Sequence, residues 1–122
     1  MSSTMEIYKK FSFDSAHYLP NLPEEHKCRR IHGHTFYVTI YIEGPVDPKM
    51  GWIKDFFEIK QVFQPLLEQL DHRLLNEIDG LENPTSEYIS KWIWERLAPK
   101  LPELSKVEVA ETCTTGCIYA GE

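Results

Sequence analysis

Four histidines, one cysteine and two carboxylates stand at spacings that could support metal-assisted proton chemistry. Residues 32 to 34 read His-Gly-His, and in an extended strand side chains two apart share a face about 6.6–6.8 Å apart. Both imidazoles can then close on one ion. If the segments holding His17 and His34 pair as an antiparallel hairpin with His17 opposite His32, Phe13 falls opposite Phe36 and Ile7 opposite Ile42. The hydrophobic register and the histidine register agree. Gly33 keeps bulk off the opposite face and leaves the backbone free to bend. A His-x-His pair alone occurs in many proteins without metal, so His17 is what turns the pair into a site. Three neutral imidazoles with no fourth protein ligand nearby match a catalytic zinc centre with one position open. Nickel or iron could use the same donors.

Cys28 stands four residues before His32, among Lys27, Arg29 and Arg30. Cationic neighbours and a nearby metal would lower a thiol pKa from about 8.5 towards neutrality, where it can act as a base. The alternative is a small buried apolar cysteine, for which a charged loop is a poor place. In Asp71-His72 the carboxylate could fix the imidazole tautomer and let the pair relay protons. Histidine also simply suits a helix C-terminus. Glu111 falls on the face of Val107 and Val109, where a carboxylate needs a partner. Either the strand end turns to solvent there, or Glu111 holds a flat pair of donors. Cys113 and Cys117 lack the two-residue spacing of common zinc knuckles and read as structural; His26 reads as a loop residue.

The elements that must position these residues follow from periodicity. Met5 to Phe13 alternates with one break at Lys9, and His34 to Glu43 alternates again, which predicts two strands. A charged, proline-containing loop from Leu19 to Ile31 joins them. Asp55 and Glu58 form a capping-box-like pair ahead of Ile59, Val62, Phe63, Leu66, Leu67 and Leu70 at helical spacing. Pro65 within that stripe predicts a kink or a break. A second helix is expected to open at Asn83-Pro84, with proline in the first position, and to stop at Pro99. Lys106 to Thr112 then predicts a third strand and Cys117 to Tyr119 a short fourth. The order ββααββ implies an α+β domain with a four-stranded antiparallel sheet and two helices on one face.

The chain has 122 residues, the size of one domain, with 42% hydrophobic and 26% charged residues, so it can bury a core. One domain over 1–122 is expected, with residues 1–4 disordered. A net charge of −6 argues against nucleic acid and anionic membrane partners, since the only basic cluster is Lys27, Arg29 and Arg30. No stretch approaches the roughly 20 apolar residues that cross a bilayer. Three cysteines and no secretion signal point to a reducing, cytoplasmic setting.

Taken in order, Phe13-Asp14-Ser15-Ala16-His17, Cys28-Arg29-Arg30-Ile31-His32-Gly33-His34, Gly51-Trp52-Ile53-Lys54-Asp55-Phe56, Leu70-Asp71-His72, Glu82-Asn83-Pro84-Thr85-Ser86-Glu87 and Glu111-Thr112 resemble the 6-pyruvoyl-tetrahydropterin synthase family nearly end to end. Three residues separate the cysteine from His-Gly-His, which resembles the bacterial 6-carboxy-forming branch; pyruvoyl-forming members typically have five. The resemblance implies one zinc ion held by His17, His32 and His34. It makes Cys28 the proton acceptor, Asp71 and His72 the relay, and Glu111 the pterin anchor, with Thr112 beside it in substrate binding. It implies 7,8-dihydroneopterin triphosphate as substrate, in queuosine biosynthesis. It also implies the tunnelling fold, whose sheets join into a barrel in a homohexamer, a dimer of trimers, with active sites at subunit interfaces. The rivals are pyruvoyl-tetrahydropterin synthase or sepiapterin-cleaving chemistry, and more distantly a metal- or pterin-binding module without turnover.

Overall fold

The computed structural model describes residues 3–112 and 114–122; Met1, Ser2 and Cys113 lie outside the described residues. Four strands and two helices follow in the order β1 (Thr4–His17), β2 (His32–Pro45), α1 (Phe56–Leu70), α2 (Ser86–Leu97), β3 (Leu104–Ala110) and β4 (Cys117–Tyr119). The sheet order is β1-β2-β3-β4, antiparallel throughout. Of the first four residues, Thr4 already pairs with Pro45.

Both leading strands run longer than their alternation suggests, so the histidines lie inside the ladder. His17 faces His32, Phe13 faces Phe36 and Ile7 faces Ile42. Phe13, Phe36, Val38, Ile40, Val107 and Val109 supply the sheet's share of the core, and the helices bring Ile59, Phe63, Leu70, Ile89, Ile93 and Leu97. Each of these is at most 2% exposed, so helices and sheet close over one dry layer.

Three local expectations change. Asp55 caps α1 by accepting from the Phe57 amide at 2.9 Å, but Glu58 pairs with Lys54 at 2.8 Å instead of closing a capping box. Pro65 does not break α1: it lies on the exposed face, where the carbonyl it leaves free can be hydrated. The second helix begins at Ser86 under a Thr85 cap, whose hydroxyl accepts from the Tyr88 amide at 3.2 Å. Threonine can satisfy an orphan amide there and proline cannot. Pro84 is left upstream, with its carbonyl free for the site.

Candidate metal centre and substrate site

The hairpin register brings three rings together. Centroid separations are 4.6 Å for His17 and His32, 5.2 Å for His17 and His34, and 4.8 Å for His32 and His34. One donor atom from each lies within 4.8 Å of the others. Two of the tautomers are fixed by backbone carbonyls, which can only accept. His17 donates from Nδ1 to the Pro84 carbonyl at 2.8 Å, and His32 from Nδ1 to the Arg30 carbonyl at 2.7 Å. In its neutral form each therefore presents an unprotonated Nε2. Such outer hydrogen bonds orient imidazoles for a metal.

The fit to a cation rests on His17. It is 1% exposed, and its buried Nε2 has no hydrogen-bond partner. A buried acceptor left unpaired is costly, and a cation shared with His32 and His34 would satisfy it. Burial holds the His17 pKa below its usual value; the Pro84 carbonyl and Glu111 oppose this, while His32 and His34 add to it. The neutral, ligating form is the favoured one.

Glu111 stands just past the end of β3, not inside the strand, and its carboxylate turns towards the histidines. Oε2 is 3.6 Å from His34 Nε2 and Oε1 is 3.9 Å from His17 Nε2, while the Ser86 hydroxyl donates to Oε1 at 3.2 Å. Glu111 and Thr112 also line a cavity of about 600 Å³ with Lys10, Thr35, Tyr37 and Glu108. Thr112 is half committed already: its hydroxyl accepts from the Thr114 and Thr115 amides and ties the following turn.

Asp71 caps the C-terminus of α1, and its Oδ2 pairs with His72 Nδ1 at 2.9 Å. The Asp14 amide donates to Asp71 Oδ1 at 2.9 Å and, with His72, holds that carboxyl below the usual range. His72 is 78% exposed and shares a second cavity, about 610 Å³, with His34, Gly33 and Asp14. His34 and His72 thus line the same cavity.

Cys28 lies half-buried on a single 3-10 turn, Lys27–Arg29, and its sulfur is not part of the histidine cluster. His26 gains a role here, since its Nδ1 accepts from the Cys28 amide at 3.0 Å and caps the turn. Arg29 is tied to the Pro20 carbonyl at 3.1 Å, while Lys27 and Arg30 stay exposed. Cys117 is half-buried beside Ser90 at 3.7 Å, and Cys113 lies outside the described residues. The backbone carbonyls of Pro84 and Arg30, and Ser86 against Glu111, escaped the sequence because a carbonyl has no side-chain signature. Asn83-Pro84-Thr85-Ser86 carried the only hint.

Fold and site together define an α+β domain with a three-histidine cluster able to hold a metal ion. The model of the family described as 6-pyruvoyl tetrahydropterin synthase matches residues 6–122, and the chain belongs to that family of pterin-processing lyases. It is 44% identical to the Synechocystis protein named 6-carboxy-5,6,7,8-tetrahydropterin synthase, over 93% of this chain and 91% of that one. It is 38% identical to the dihydroneopterin monophosphate aldolase of Pyrococcus furiosus, over 79% and 77%. The structure of Caenorhabditis elegans 6-pyruvoyl tetrahydropterin synthase superposes with a TM-score of 0.91 at 26% identity, covering 99% of this chain and 98% of that one. The architecture is the tunnelling fold of that family.

Proposed function

We propose that the chain is a zinc-dependent, cytoplasmic 6-carboxytetrahydropterin synthase. It would convert 7,8-dihydroneopterin triphosphate and water to 6-carboxy-5,6,7,8-tetrahydropterin, acetaldehyde and triphosphate, in queuosine biosynthesis. The observation that carries this reading is the buried, partnerless Nε2 of His17 within a three-histidine cluster, in a chain of this family. The three-residue spacing from Cys28 to His32 and the 44% identity to the Synechocystis protein favour the carboxy product.

Zinc held by His17, His32 and His34 would polarise the substrate's side-chain hydroxyls and stabilise developing negative charge on oxygen. Glu111 anchors the pterin edge: two carboxylate oxygens accept from the ring N–H and the amino group, and Thr112 lies beside it. Cys28 takes or returns the carbon-bound proton, and His72, oriented by Asp71, moves protons at the other side. Lys27 and Arg30, exposed and without an ion-pair partner among the described residues, receive the triphosphate; Arg29 is committed to Pro20.

The same reading has the chain act as a homohexamer, a dimer of trimers whose sheets join into a barrel with active sites between subunits. Support comes from the open edges of the sheet at β1 and β4 and from large apolar side chains left in solvent near them, Met5, Tyr8 and Ile118. Cys28 standing outside the histidine cluster also suits a site completed by a neighbour.

The Pyrococcus furiosus relative favours a second reading, an aldolase acting on the monophosphate through the same residues. Incubation with the triphosphate and the monophosphate in parallel, with mass spectrometry of the products, tests both. Acetaldehyde and a 6-carboxy pterin from the triphosphate alone are expected. Turnover of the monophosphate alone would overturn the first reading in favour of the second.

A further inference from the structure

His72 adopts a positive φ of 58°, the one non-glycine residue to do so among the described residues. A residue with a Cβ stays in that region only when its surroundings hold it. What holds it is β1. The His72 amide donates to the Asp14 carbonyl at 2.6 Å, and the Ala16 amide donates to the Arg73 carbonyl at 2.9 Å. Between these two bonds sits Ser15, 7% exposed.

The Ser15 hydroxyl donates to the Leu70 carbonyl and accepts from the Arg73 amide at 3.1 Å. Leu70 is the last residue of α1, so its carbonyl is one of the orphans that a helix end leaves. One buried hydroxyl therefore closes the turn on both sides of Asp71-His72. The same strand carries His17 two residues on, so Asp14 to His17 fixes the relay pair and a metal ligand on one rigid stretch.

We infer that Ser15 is a positioning residue for the reaction, clamping the left-handed turn at His72 so that the relay imidazole is held on Asp71 at a fixed distance from the metal site. The inference rests on the proposed role of His72 and adds the residue that aims it. Ser15 touches no reacting atom. Its hydroxyl acts through the Leu70–Arg73 turn, and a hydroxyl is required because alanine offers no donor or acceptor there. Threonine keeps the hydroxyl and serves as the rescue variant.

The test compares Ser15→Ala, Ser15→Thr, His72→Ala and the Ser15→Ala/His72→Ala pair. Ser15→Ala should keep its zinc and its fold by circular dichroism, lose kcat by roughly ten- to a hundredfold, a fraction of the worth of a positioned acid–base group, and change KM by less than about threefold. Adding Ser15→Ala to His72→Ala should cost almost nothing further, because both changes act through one group. Ser15→Thr should recover most of the rate. Independently of turnover, the ring 15N shifts of His72 should lose the Nδ1–H signature of the Asp71 bond in Ser15→Ala, and the Arg73 amide should exchange faster. Unchanged His72 ring shifts, or an additive loss in the double variant, would overturn the inference. If the wild type turns over neither pterin, the proposed function fails, and the His72 spectrum and Arg73 exchange still decide whether Ser15 holds the turn.

Discussion

His17 Nδ1 lies 2.8 Å from the Pro84 carbonyl, and this one bond links the first strand to the entrance of α2. Because the carbonyl can only accept, the proton is on Nδ1 and the lone pair is on Nε2, towards His32 and His34. A backbone group with no side-chain chemistry thus decides which nitrogen of His17 faces the other two histidines.

Purified wild-type protein should carry about one zinc per chain, the count expected of a three-histidine site. His32→Ala and His34→Ala should each lose most of it, since two imidazoles chelate far more weakly than three. Elemental analysis after gel filtration provides the check. A well-folded wild type without any transition metal would remove the site.

The metal-free protein should lose stability as the pH falls through the histidine range. Burial lowers the folded pKa of His17 below its ordinary value, so at acid pH the unfolded chain binds a proton that the folded chain resists. The stabilisation is full above the unfolded pKa and declines as the pH drops towards the folded one. Urea titrations of chelator-treated protein at about pH 7.5 and about pH 5.5 should show the lower midpoint at acid pH, and His17→Gln should flatten that dependence. An equal slope in both proteins would mean that other groups carry it.

Cys28→Ala should retain zinc and assembly state while turnover drops by on the order of 10²–10⁴, the usual contribution of a positioned acid or base. Acetaldehyde release is the readout. A variant working at near-normal rate would take Cys28 out of the mechanism.

Glu111→Gln isolates charge and hydrogen-bond polarity from shape. Glutamine offers one acceptor where the pterin edge presents two donors, leaving groups unpaired at a cost of about 1–3 kcal/mol. Affinity for a non-reacting pterin should weaken by roughly tenfold to more than a hundredfold by calorimetry. Zinc content should hold, because three imidazoles remain. Equal affinities in wild type and variant would show that Glu111 does not hold the ring.

Pro65→Ala should stabilise the fold. Pro65 is exposed inside α1, and alanine restores the missing amide, worth up to ~3 kcal/mol, less what proline contributes by restricting the unfolded chain. A urea midpoint that moves down instead would mean that the ring makes contacts the chain needs.

Much of the sheet was legible beforehand, for a physical reason. In β1 and β2 the burial alternates with period two, and a slip of one residue would put Phe13 and Phe36 on opposite faces of the sheet, so the apolar pattern and the histidine pattern fix one register. That register by itself assembles the three-histidine cluster. Boundaries were less legible. β1 continues to His17 through Asp14, Ser15 and Ala16, where polar residues hide the alternation, and β3 stops at Ala110, short of Glu111. The entrance of α2 lies at the Thr85 cap and not at Pro84, because proline in the first turn and threonine as a cap compete in one stretch and only packing decides between them.

The sequence by itself determined the donor set: which side chains could bind a metal, move a proton or meet a planar ring, and that His17, His32 and His34 share a face. Those properties belong to residue types and strand periodicity, both of them local. Tertiary structure decided how these groups are aimed. The Pro84 and Arg30 carbonyls leave Nε2 of His17 and His32 turned to the histidine cluster, Ser86 braces Glu111, and Asp14 and Ser15 hold the turn at His72. Except for the Arg30 bond, each of these contacts joins segments far apart in the chain, and most run through backbone atoms that every residue carries alike. No residue type announces them, so they exist only once helices and sheet have closed on a common core.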